Sequence, residues 1–266
     1  MNSVLFGSSA ILAYIASTVA MLRSLKPTPG LRYAALAIAG LACALHALAN
    51  LHAGPGLLDF SFLSALSTVI WLVVVIVLLA APFRPVDKLG IVVFPLAAAI
   101  LGLKLAVPEE AHLVRNHGWP MTAHILSSLL AYSFLNIAAI QAILLAAQDF
   151  CLRARQAGGP LVRSLPPLQT MEALLFQLIG AGFVLLTVSL VTGFLFVENL
   201  FAQHLAHKTL LSILAWGVFA VLLTGRIRAG WRGQTAIRWT LGGFAALMLA
   251  YFGSKMVLEW ILDRAY

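Results

Sequence analysis

The chain has 266 residues, 62% of them hydrophobic and 10% charged, with a formal net charge of +8 and a mean hydropathy of +0.98. A soluble domain averages roughly 45–50% apolar and about 25% charged residues, so this composition excludes a soluble globular enzyme and points to an integral membrane protein. The excess of basic residues forms no separate tail and no aromatic-interleaved stripe; it fits the loops of a membrane protein and gives no reason to expect nucleic acid.

Eight apolar segments, at approximately 4–22, 33–52, 61–81, 89–107, 120–147, 171–197, 208–225 and 236–260, are each long enough to cross roughly 30 Å of hydrocarbon at about 1.5 Å per residue. The first, "MNSVLFGSSAILAYIASTVAML", lacks the basic n-region of a cleaved signal peptide and is read as a spanning helix. The third and fourth are expected to form a hairpin that turns at "APFRPVDK", and the fifth and sixth are long enough to tilt or protrude. Breaks at "KPTPG", "AGPG", "FRP", "GGP" and "LPP" carry Pro or Gly. No linker divides the chain, so the expected fold is one all-α, polytopic helix bundle over 1–266, embedded in the lipid bilayer. Cys43 and Cys151 form no CxxC pair, and their expected positions are too far apart for a disulfide.

Orientation follows from charge. Arg23, Lys26, Arg32, Arg84, Lys88, Arg153, Arg155, Arg163, Arg226, Arg228, Arg232 and Arg238 fall on one side of the predicted spans, against Lys104, Arg115, Lys208, Lys255 and Arg264 on the other. The side with twelve of the 17 basic residues is expected to be cytoplasmic, which turns both termini outward. On that map all seven histidines (His46, His52, His112, His117, His124, His204 and His207) lie on the outer side.

Neutral imidazole is a good ligand for iron, zinc and copper, and haem iron commonly takes one or two histidines. Trp71, Trp119, Phe194, Phe196 and Phe201 could wall a macrocycle, and Lys104, Arg115 and Lys208 are the outer cations nearest the histidines. His204 and His207, in "HLAHKT", share one helix face, so at most one of them can be an axial ligand of a given haem. His46 and His124 lie inside apolar stretches, where an ionisable group is costly and marks a functional candidate. Asn136, Gln141 and Gln177 read as interhelical hydrogen-bonding groups. A divalent-metal site using Glu109, Glu110 and Glu198 is a rival that lacks polar ligands at mid-membrane. No GxSxG, P-loop or HExxH occurs, so no catalytic residue is expected.

The stretches "PPLQTMEALLFQLIGAGFVLLTVSLVTGFLF" and "HKTLLSILAWGVFAVLLTGRIRAGWRGQTAIRWTLGGFAALMLAYFGSK" resemble the CcsA/CcmC-type cytochrome c assembly superfamily, within it the eight-helix HemX/YpjD-like branch. "GWRG" at Gly230 to Gly233 is the most specific part, and "HILSSLLAYSFLNIAAIQAILL" is similar to a helix that carries a haem-facing histidine at its outer end. The resemblance implies b-type haem, held stably or in transit, at the outer face of a bacterial inner membrane, with assembly proteins or an apocytochrome as partners. It makes His124 and His46 the matching histidines; the expected axial pair is His124 with His207, His207 or His204 replacing a ligand motif that the family carries and this chain lacks. The family's tryptophan-rich loop is replaced by "ENLFAQHLAHKT", so the resemblance carries over haem handling without the lyase step. The rival within the family is a non-catalytic scaffold whose basic loops, "RIRAGWRGQTAIR" above all, form the partner surface.

Overall fold

A computed structural model describes residues 2–25, 30–52, 61–107, 118–155, 158–196 and 206–253, without the side chains of 206 and 207. The long helices are α1 (Asn2–Arg23), α2 (Leu31–His52), α3 (Phe62–Ala80), α4 (Gly90–Ala106), α5 (Trp119–Arg153), α7 (Leu168–Phe196), α8 (Ala206–Ala229) and α9 (Gln234–Met248), with a short α6 (Pro160–Ser164) before α7. Among the described residues there is no strand. Eight helices, α9 being counted with the π turn Leu249–Gly253 that continues it and α4 with the 3-10 turn before it, are long and apolar enough to cross a membrane. The expected spans are thus found, with α5 carried on to Arg153 and residues 254–260 of the eighth span lying outside the described residues. At about 1.5 Å per residue its 35 residues exceed the thickness of the hydrocarbon layer and must tilt or project.

The helices gather into two compact units, Met1–Arg115 with Ala157–Pro166, and Asn116–Gln156 with Pro167–Tyr266. In the first, α1 packs on α2 and α4, and α3 packs on α4 and α2; the expected α3–α4 hairpin is present. Buried positions recur at Gly7, Ala10, Tyr14, Ser17 and Met21 on α1, and at Ala35, Ala39, Ala42, His46 and Ala49 on α2. Both series step by alternating threes and fours, the period of a helix–helix seam, and most members are small, which lets the backbones approach closely. Tyr14 and His46 are the large polar members of the two seams, so the same pattern that joins the helices brings these two side chains together. At the other end of this unit, Asp87 is buried in the α3–α4 turn, 3.2 Å from Arg32 Nε at the start of α2.

In the second unit α5 packs on α7 and α9, and α8 on α9 and α7. Glycines open the contacts: a Cβ on Gly182 would stand 2.7 Å from Leu135 on α5, and one on Gly243 would stand 2.9 Å from Phe219 on α8. Gln141 donates to the Met171 carbonyl at 3.1 Å, joining α5 to α7 as expected. Gln177, in contrast, is exposed on α7.

Candidate functional site

Two histidines lie inside spans, one in each unit, and their surroundings differ. His46 is fully buried. Its Nε2 is 2.9 Å from Ser67 Oγ on α3, and its Nδ1 is 3.3 Å from Tyr14 Oη on α1. Ser67 in turn donates to Asn50 Oδ1 at 3.1 Å, and that oxygen also accepts from Lys104 Nζ on α4 at 2.9 Å. The chemistry of these groups fixes the direction of every bond. An ammonium can only donate, so the Asn50 atom facing Lys104 is the oxygen. The single Ser67 hydrogen goes to that oxygen, so Ser67 accepts from His46 Nε2–H. His46 Nδ1 is then the acceptor for the Tyr14 hydroxyl. Each of the four helices α1 to α4 contributes to this chain, and both ring nitrogens of His46 are engaged. For His46 to ligate iron through Nδ1, Tyr14 would have to withdraw.

His124 sits about one and a half turns into α5 at 3.6 residues per turn and is half-buried. Its Nδ1 lies 2.8 Å from the Ser189 carbonyl on α7. A carbonyl can only accept, so Nδ1 carries the hydrogen and Nε2 of the neutral ring carries the lone pair. Among the described residues Nε2 meets no hydrogen-bond partner. A second link backs the first. Ser128 donates to the His124 carbonyl at 2.6 Å, so at the 2.6 Å contact between the two hydroxyls Ser189 donates to Ser128. Ser189 therefore holds α5 through both its backbone and its side chain. Gly193, one turn further along α7, makes room for the ring: a Cβ there would stand 3.1 Å from His124 Cε1. An imidazole whose Nδ1–H is tied to a backbone carbonyl, with Nε2 open, has the tautomer and fixed orientation of a metal-ligating histidine.

At the same end of this unit Trp119 is 79% exposed, Phe194 50% and Phe196 49%. Three of the predicted wall residues are thus apolar surface on the helix ends nearest His124. Trp71 belongs to the other unit, where its indole donates to the Cys43 carbonyl at 3.0 Å. His52 is exposed at the end of α2, its Nδ1 on the Leu48 carbonyl at 2.8 Å. His112, His117, His204, Phe201, Arg115, Glu109, Glu110 and Glu198 lie outside the described residues, as does the side chain of His207, the second residue of α8. No group of three or more His, Cys, Asp or Glu that could hold a metal ion occurs among the described residues.

Sequence reasoning singled out the two histidines but not the groups that define their states. Ser189 is 65 positions from His124 and acts through its carbonyl, a group every residue has. Gly193 is one glycine among 20. The one available signal was the seam spacing, which puts Tyr14 and His46 at matching positions of two adjacent helices.

The family model described as Cytochrome C assembly protein matches residues 33–262. The inner membrane protein YpjD of Escherichia coli K12 is 33% identical over 263 residues, which cover 96% of this chain and 98% of that protein. An uncharacterized 28.8 kDa protein of Azospirillum brasilense is 30% identical over 75% of this chain and 77% of its own length. The cytochrome c biogenesis protein CcsA of Gloeobacter violaceus is 28% identical over 108 residues, 40% of this chain and 32% of its own length. No solved structure matches the chain.

Proposed function

Since the chain belongs to the cytochrome c assembly protein family, we propose that it binds and presents haem at the outer face of the bacterial inner membrane, in support of cytochrome c assembly, without a lyase step of its own. The observation that carries this reading is the state of His124: Nδ1–H is committed to the Ser189 carbonyl at 2.8 Å, leaving Nε2 as a fixed, open donor beside exposed aromatic surface. The donor set fits haem iron, which favours imidazole nitrogen. In this proposal His124 would be one ligand of the iron and His207 the second, with His204 as its alternate. Trp119, Phe194 and Phe196 offer apolar cover for the macrocycle. Bound there, the group would supply an iron porphyrin for transfer to an apocytochrome or to another assembly protein. His46 has a separate part, as the centre of a polar chain that joins four helices, and becomes a deeper ligand only if Tyr14 releases Nδ1. The inner-membrane location follows the naming of the Escherichia coli relative.

The test is the absorbance spectrum of detergent-purified protein, oxidised and reduced, with and without added haem, for the wild type, His124→Ala, His207→Ala and His46→Ala. The expected result is a six-coordinate, low-spin Soret band that is lost or shifted in the first two variants and kept in the third. No Soret band in any form, or one indifferent to His124, sinks the proposal.

A further inference from the structure

The "GWRG" turn between α8 and α9 has no part in the haem reading, yet it is built with care. Gly230 and Gly233 both adopt left-handed backbone, with φ of 65° and 58°, a conformation that a side chain disfavours. Between them Trp231 donates its backbone N–H to the Gly225 carbonyl at 3.1 Å. Gly225 also gives the indole room, since a Cβ there would overlap the Trp231 ring. Arg226 donates to the Trp231 carbonyl at 3.1 Å and lies over the Phe176 ring on α7, 4.6 Å from its centroid. Glu172 on α7 accepts the Gly233 N–H at 2.6 Å, and Gln234 donates to Asp149 on α5 at 2.6 Å. The turn is therefore fixed to α5, α7 and α8, and its shape does not depend on a ligand.

What this frame displays is uncompensated positive charge beside indole. Trp231 and Trp239 meet with centroids 5.4 Å apart. Arg232 and Arg238, each next to one of these tryptophans in the chain, are exposed, as is Arg228 in the last turn of α8. None of the three has a partner among the described residues. The two carboxylates of this unit among those residues, Asp149 and Glu172, are engaged elsewhere: Asp149 by Arg153 at 2.9 Å and by Gln234, Glu172 by the Gly233 N–H. Ile227, between Arg226 and Arg228, is 83% exposed. Indole pairs settle at the boundary between acyl chains and headgroups, and arginine binds phosphate through paired N–H groups. At a helix end that borders the bilayer, the matching ligand is the lipid of that leaflet.

We propose that the α8–α9 turn is a binding site for anionic phospholipid, in which Arg228, Arg232 and Arg238 take the headgroup phosphate and the Trp231–Trp239 pair, with Ile227, takes the adjoining glycerol and acyl region. Each basic side chain near an anionic surface contributes about fivefold to binding, so loss of three should weaken it by about a hundredfold.

The experiment is native mass spectrometry of the detergent-purified full chain, titrated with phosphatidylglycerol and separately with phosphatidylcholine. The variants are the triple Arg228→Gln, Arg232→Gln, Arg238→Gln, the same three positions changed to Lys, and a control with Arg23→Gln and Arg84→Gln in the other unit. Circular dichroism checks that each keeps its helix content. The expected result is selective retention of phosphatidylglycerol by the wild type and the control, part retention by the lysine triple, and loss in the glutamine triple. Excess inorganic phosphate should leave the lipid bound. Equal retention of the two lipids by the wild type, an unaffected glutamine triple, an equal loss in the control, or displacement by inorganic phosphate would each overturn the proposal. A glutamine triple that loses helix content is replaced by the single Arg232→Gln variant, for which an unchanged phosphatidylglycerol affinity overturns it as well.

Discussion

Gly193→Ala separates the stability of the fold from the state of His124. The added Cβ would stand 3.1 Å from His124 Cε1 and 3.3 Å from Nδ1, against a comfortable separation of about 3.5–4.0 Å between carbons. The ring must therefore retreat by about half an ångström. The Nδ1 to Ser189 contact, now 2.8 Å, then passes the upper end of the usual range of about 2.7–3.2 Å. Weakening that bond costs about 0.5–1.5 kcal/mol, while alanine in a helix interior returns about 0.8–1 kcal/mol relative to glycine. The two nearly cancel, so the melting temperature in detergent should barely move. The ligand geometry has no such compensation, because Nε2 moves with the ring. Loss of a partner that orients a metal ligand typically costs about 10–100-fold in affinity. Haem titration followed at the Soret band should show a drop of that order for Gly193→Ala, and a larger one for Gly193→Val. Wild-type haem affinity and spectrum in both variants would refute the assignment of His124 as a ligand held by Ser189.

Gly182→Val should be destabilising, because its Cβ would stand 2.7 Å from both Leu135 Cγ and Cδ2 in the α5–α7 contact; overpacking of this kind costs about 1–3 kcal/mol, readable as a lowered melting temperature in detergent, and an unchanged value would show that the contact yields. Tyr132 donates to the Leu247 carbonyl at 2.9 Å just ahead of the π turn Leu249–Gly253, and a side chain inserted into the helix hydrogen-bond ladder is a recognised cause of local departure from regular α-helix. Tyr132→Phe should return residues 249–253 to α-type backbone chemical shifts, and shifts identical to wild type would detach the turn from that hydrogen bond.

The spans were legible because a run of about 20 apolar residues has little choice but to become a membrane helix. Their ends were less so. α5 runs on to Arg153, past the apolar limit near 147, since Gln148 and Asp149 continue the helix beyond the apolar run and Asp149 meets Arg153 and Gln234 there. The short α6, begun by Pro160, has too few residues to show a period. The membrane also made His46 and His124 conspicuous, because polar groups are rare in such helices. Their different states were not legible, because each depends on what comes from another helix. Gln177 shows the same limit: it has the amide of Gln141, but only Gln141 turns toward a neighbouring carbonyl.

The hydrogen-bond chain from Lys104 to Tyr14 has a direction, and that direction is testable. Lys104 donates to Asn50 Oδ1 at 2.9 Å, which forbids the amide from presenting its NH2 to the ammonium. With the oxygen so placed, Ser67 must donate to it, His46 must donate from Nε2, and Tyr14 must donate to Nδ1. The lysine thus sets a tautomer on a ring it does not touch. Lys104→Met removes the constraint. The Asn50 amide can then turn, donate to Ser67, and let Ser67 donate to Nε2, so that Nδ1–H faces Tyr14. Nitrogen-15 NMR of histidine-labelled protein distinguishes the two ring forms, with His46→Ala used to assign the signals. The wild type should show His46 with hydrogen on Nε2 alone, and Lys104→Met should populate the second form. A wild-type ring with its hydrogen on Nδ1 would refute the chain as drawn. A Lys104→Met ring locked as in the wild type would mean that Tyr14, and not the lysine, sets the direction.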